Sequence, residues 1–181
     1  MDPNADEKVE KALMNGKLKP YNVYTDMVKV VLFCLSRYFC LRWGEELCQA
    51  MKSHFEITTY TRGPDKGLRK IVYINEKYKH RYLSAKKIWL SNTGYPELRE
   101  LRIDQPLNPF RFLNDFLSLN RHAEVDRLFC RATQQTNKLS DHQVRAGLRS
   151  ILTKNVYGVS FLRKLFKEFV IACEFVDPER N

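Results

Sequence analysis

The sequence predicts an α+β protein in which helix predominates and the strands gather into one β-hairpin. Three observations predict it. Apolar residues recur at helical spacing in several segments, most clearly the last, where Leu162, Leu165, Phe166, Phe169, Val170 and Cys173 form one stripe. Two short runs, "FEITTYT" and "LRKIVYIN", alternate and are rich in β-branched and aromatic residues. The "GPDKG" between them is turn chemistry, so the two runs read as a hairpin with a longer loop.

The elements follow in order. Ala5 to Met14 is a short amphipathic helix ending at Gly16, with Pro20 as the stop. A second helix opens at Thr25 as N-cap, with Asp26 in its first turn and Met27, Val30, Val31, Cys34, Leu35 and Tyr38 at helical spacing. A third runs from Gly44 to His54, and the hairpin comes next. Three helices and a β-hairpin are the order of a winged helix, so residues 1–94 read as a winged-helix-like basic domain with the hairpin as its wing. Glu76 to Leu90 adds a helix, and residues 95–108 read as a connector crossing the surface.

Residues 109–181 are expected to form an antiparallel helical bundle packed on the first half. Asn108-Pro109 places a capping side chain before a residue suited to the first helical turn, and Phe112, Leu113, Phe116 and Leu117 supply the apolar stripe. Arg121 to Thr133 reads as helix with Val125, Leu128 and Phe129 inward. Ser140 with Gln143 fits a capping box ahead of Val144, Leu148, Ile151 and Leu152. Ser160 to Glu174 is the last helix.

Charge points to function. The chain carries 31 Lys and Arg against 21 Asp and Glu, a formal +10. Residues 1–50 are balanced, whereas residues 51–100 hold eleven basic and five acidic side chains. A localised excess implies an anionic partner. Arg62, Lys66, Arg69, Lys70, Lys77, Lys79, Arg81, Lys86 and Lys87 make the dense part, and alternation along the second strand puts Tyr73 on one side with Arg69 as the exposed pair. The expectation is a non-enzymatic nucleic-acid-binding protein that grips RNA or DNA mainly by its phosphates. Glu45 and Glu46 at the start of the third helix would repel phosphates, so that helix is not expected to read a groove. The alternative is a protein-interaction adaptor or small viral assembly or regulatory factor. There Leu162, Phe166 and Phe169 meet a protein partner or a second copy, and the basic face meets an acidic partner or membrane surface.

Other classes are disfavoured. Five cysteines with mostly apolar neighbours, behind a polar, acidic N-terminus without a secretory signal, fit an intracellular protein, nuclear or cytoplasmic, whose thiols act as small hydrophobes. The longest apolar run, "VVLFCL", is too short for a transmembrane segment. Cys34, Cys40, Cys48 and His54 read C-x5-C-x7-C-x5-H, but without a CxxC pair, and Cys34 and Cys40 lie on nearly opposite sides of one helix, so no metal is expected. There is no P-loop, GxGxxG, GxSxG or HExxH, so neither a cofactor nor catalytic residues are expected.

Overall fold

Ten of the sixteen residues of the second helix are buried, and the rest of the fold is arranged around it. The structure, a computed structural model, describes residues 3–42, 44–76, 90, 94–102, 105–119, 122–132 and 152–175. Among these the protein is mixed helix and sheet, with five α-helices, a three-stranded antiparallel sheet and a two-stranded one. In chain order they are α1 (Ala5–Met14), α2 (Tyr24–Phe39), α3 (Glu45–Cys48), β1 (Phe55–Thr59), β2 (Arg69–Tyr73), β3 (Glu97–Arg99), α4 (Pro109–Ser118), β4 (Cys130–Ala132), β5 (Leu152–Val156) and α5 (Val159–Ala172).

Helix α1 has the expected bounds, and Gly16 follows it with φ +68°, where a side chain would be strained. Helix α2 is apolar nearly all round and is buried accordingly: Met27, Val28, Val30, Val31, Leu32, Cys34 and Leu35 are all inaccessible. It begins at Tyr24 without a side-chain cap. Asp26 lies in the first turn, as expected, and its carboxylate accepts a hydrogen bond from the Lys19 backbone N–H (2.9 Å).

The hairpin forms where the alternation predicts it, with β1 and β2 antiparallel from Phe55↔Tyr73 to Thr59↔Arg69. Strand β2 is buried on both faces where one was expected: Val72, on the face read as inward, is in the core and Arg69 is exposed, but the face shared with Arg69 is buried beyond it. Ile71 and Tyr73 point into the core, and Tyr73 is 1% exposed. Its ring packs against Phe55 at 4.9 Å and edge-on to Phe39 at 6.1 Å and His54 at 5.6 Å. Burying a large ring outweighs burying Ile74 on the other face, which stays 37% exposed. Residues 97–99, inside the stretch read as a connector, form β3 and pair with β2 through Ile71↔Leu98 and Val72↔Glu97.

Two expected helices differ in the structure. The third is a single turn, α3, because the chain after it leaves the helix to pair with residues 126–128. The Lys52 N–H donates to the Asp126 carbonyl (2.7 Å) and the Leu128 N–H to the Ala50 carbonyl (2.8 Å). The helix expected over Arg121 to Thr133 is absent from described residues 122–132, which end in β4 instead. Leu128, Phe129 and Cys130 are buried consecutively, a pattern that one face of a helix cannot provide. Strand β4 pairs with β5, and Leu152, expected in the Ser140-capped helix, is in β5. The remainder of that helix and most of the one expected over Glu76 to Leu90 lie outside the described residues.

Helix α4 follows its signals closely. The Asn108 side chain accepts from the Arg111 N–H at 3.0 Å, and Pro109 opens the first turn. Replacing Asn108 by Ala should lower stability by about 1 kcal/mol in a urea titration. No change would mean that the cap carries none of the helix's stability. Helix α5 lays Leu162, Leu165, Phe169 and Cys173 into the core, with Phe33 of α2 against Phe169 at 5.5 Å. Helix α2 therefore packs against α4, α5 and β3, and one continuous core joins residues from α1 through α5.

Candidate functional site

The basic segment divides according to what surrounds each cation. Arg62 and Lys66 stand in the β1–β2 loop, both exposed, and no carboxylate among the described residues pairs with either. Gly63 and Gly67 shape this loop at φ +80° and +89°, a region that a side chain would resist. Arg69 and Lys70, one turn of strand away, are already matched. The Arg69 guanidinium makes a forked contact with Glu100 (2.7 Å at its shortest) and lies over the Phe110 ring at 5.1 Å. The Lys70 ammonium sits 2.8 Å from Glu97 and 4.6 Å above the Tyr60 ring.

Glu97 is the centre of this arrangement. Only 3% exposed, it takes Lys70 on one oxygen and, on the other, Arg99 at 3.1 Å and the Tyr60 hydroxyl, which donates at 2.5 Å. Burial alone would push its carboxyl up, but Lys70, Tyr60 and Arg99 outweigh burial and hold it below the usual carboxylate range. Burial and the Glu97 charge push the Tyr60 hydroxyl up, so it stays protonated as a donor. The Arg69 contact likewise holds Glu100 below its ordinary value. Arg99 reaches on to Asp65 in the loop (3.0 Å), and Arg102 donates to the Pro64 carbonyl. This clamp fixes the loop that carries Arg62 and Lys66, because Asp65 and Pro64 lie between them.

The other expected contact residues have different surroundings. Tyr73 is in the core, and its hydroxyl accepts from Asn75 at 3.2 Å, so its faces are closed to a stacked base. Lys77, Lys79, Arg81, Lys86 and Lys87 lie outside the described residues. Of the partner-facing trio, Leu162 and Phe169 are 4% and 1% exposed and belong to the core, whereas Phe166 is half-buried. The apolar side chain that α5 does present is Ile171, 72% exposed.

Sequence reasoning missed two features. The first is the acidic side of the clamp, signalled by "ELRE" (97–100), where charges alternate with a leucine as on a strand edge facing a basic partner. The second is a cationic stripe on α5, Arg163, Lys164 and Lys167, all exposed on the side opposite Leu162, Leu165 and Phe169.

Cys34 is buried, Cys40 closes α2 at φ +54°, the Cys48 thiol donates to the Tyr157 carbonyl at 3.4 Å, and the His54 ring packs on Tyr73. Among the described residues no three His, Cys, Asp or Glu side chains stand together as a metal site would require. A cleft of about 340 Å³ opens between α1 and β3, and its charged lining is largely engaged: Asp6 with Arg37 (3.2 Å), and Arg99 with Glu97 and Asp65. No helix among the described residues is long and apolar enough to cross a membrane. Comparison of the chain with known protein families, curated proteins and solved structures gives no match.

Proposed function

We propose that the protein is a non-enzymatic nucleic-acid-binding protein that contacts phosphates of RNA or DNA through the tip of the β1–β2 loop. The observation that carries this reading is the pairing pattern. Four cations around the loop (Arg69, Lys70, Arg99, Arg102) have carboxylate partners, whereas Arg62 and Lys66 at the exposed tip have none among the described residues. Cations left without counter-charge on a rigidly held loop are what a phosphate backbone needs. Lys77 to Lys87 follow β2 directly in sequence and add five more positive side chains to the same segment.

In a winged-helix reading this loop is the wing, and it makes the contact without a recognition helix. The single turn of α3 with Glu45 and Glu46 is too short and too acidic to enter a groove. Binding is then driven by charge and shape, with little sequence preference. Of the adaptor reading's three contact residues only Phe166 stays partly accessible, and Ile171 is the one large apolar side chain of α5 that is fully exposed, which makes the charge-driven reading the better supported.

Fluorescence anisotropy with single- and double-stranded RNA and DNA tests it at about 50 and 200 mM salt, where phosphate contacts are lost steeply. Arg62→Gln with Lys66→Gln should reduce the slope of log affinity against log salt by roughly 1.4–1.8, two phosphate contacts' worth. Lys70 is left alone in this test because removing it strands Glu97. A folded double variant with unchanged slope would remove the loop from the interface.

A further inference from the structure

We propose that the exposed face of α5 is a second phosphate-backbone contact, separate from the loop tip. The proposal rests on the nucleic-acid reading for the class of partner but not on the loop as its site. Arg163, Lys164 and Lys167 occupy one side of the helix, where residues three and four apart are surface neighbours. The only carboxylate on the helix, Glu168, is taken by Lys29 of α2 at 3.0 Å. No other carboxylate among the described residues pairs with the three cations. Arg163 is exposed and passes Gly44, its guanidinium 3.7 Å from where a Cβ would sit.

The occupant follows from what this face lacks. A helix that binds a lipid surface inserts its apolar side, and here that side, Leu162, Leu165 and Phe169, is in the core. A protein partner needs an apolar centre to its interface, and the stripe offers only Ile171. A phosphate backbone needs neither.

The test compares wild type, Arg163→Gln/Lys164→Gln/Lys167→Gln and Arg62→Gln/Lys66→Gln. The probes are a labelled mixed-sequence DNA duplex and a labelled single-stranded RNA, titrated across about 50–200 mM salt. Circular dichroism confirms folding, which substitutions at exposed positions should leave intact. The triple variant should lose roughly 2.1–2.7 from the salt slope, so the drop in affinity between those salts shrinks by about 20- to 40-fold. A triple variant with wild-type slope, while wild type binds steeply, would overturn the proposal and leave the loop in place. Loss in the triple variant alone, with the loop variant unchanged, would sustain the proposal and remove the loop. Wild type with no salt-dependent binding to either probe would dispose of both. If the triple variant lost sedimentation with phosphatidylserine vesicles but kept its nucleic-acid slope, the face would be a lipid contact and the proposal would fail.

Discussion

Glu97→Gln should lower the stability of the protein by about 2–3 kcal/mol, seen as a melting temperature roughly 5–10 °C lower. The substitution preserves shape and an acceptor for Tyr60 while removing the negative charge that Lys70 and Arg99 share. Breaking a fully buried pair by removing one partner costs about 3–5 kcal/mol, because the other charge is left unmatched. Here the two cations keep 18% and 33% of their side-chain surface in water, which moderates the loss. The pH dependence has a definite sign. Glu97 has a depressed carboxyl, so its contribution is complete above the unfolded value near 4.5 and is lost as pH falls through the lower folded value. The acid-induced loss of stability below about pH 4.5 should therefore be smaller in Glu97→Gln than in wild type. A variant within about 0.5 kcal/mol of wild type at pH 7 would mean that the clamp is a set of solvated surface pairs.

Phe169→Ala should cost more, about 3–5 kcal/mol, a large part of the roughly 5–15 kcal/mol typical of a domain. Its ring meets Phe33 at 5.5 Å, Phe175 at 5.9 Å and Phe166 at 6.4 Å, and it is 1% exposed, so truncation leaves a cavity that three aromatic neighbours cannot close without moving. Ile171→Ala, two residues on but 72% exposed, should stay within about 0.5 kcal/mol of wild type. Urea titrations of both separate the two roles open to this helix. If Phe169→Ala were as stable as wild type, Phe169 would face outward after all, and the partner reading of α5 would return.

The outcome for Phe169 shows which parts of the molecule were legible in its sequence. Period and capping signals located α1, α4 and α5 well, because these depend on residues within one turn of each other: Asn108 with Arg111, or Leu162 with Leu165 and Phe169. The hairpin was legible for the same reason, its turn glycines lying between alternating runs. What sequence could not decide was which side of an element meets the core. Arg69 and Tyr73 share a side of β2, and the choice fell to the rings of Phe39, Phe55 and His54, which come from elsewhere in the chain. Helical spacing over residues 121–133 misled because the partners of this run are distant in the chain: Leu128 bonds the backbone of Ala50, Phe129 that of Tyr157, and Cys130 pairs with Val156 of β5. The cationic site was half legible. Its residues were visible, but the carboxylates that neutralise Arg69 and Lys70 come from a segment about thirty residues away, and only the fold reveals that Arg62 and Lys66 are left over among the segment's described cations.

Because α2 is walled in by β3 on one flank and by α4 and α5 on the others, neither half of the chain can hide it alone. Denaturation should then be a single cooperative event, with the loop tip and the last helix failing together although they touch different parts of that wall. A fluctuation that lifts α5 away would bare part of α2, ten of whose sixteen residues are buried, a surface prone to sticking to its own kind. The tight fit of Phe33 against Phe169 thus guards solubility as much as shape.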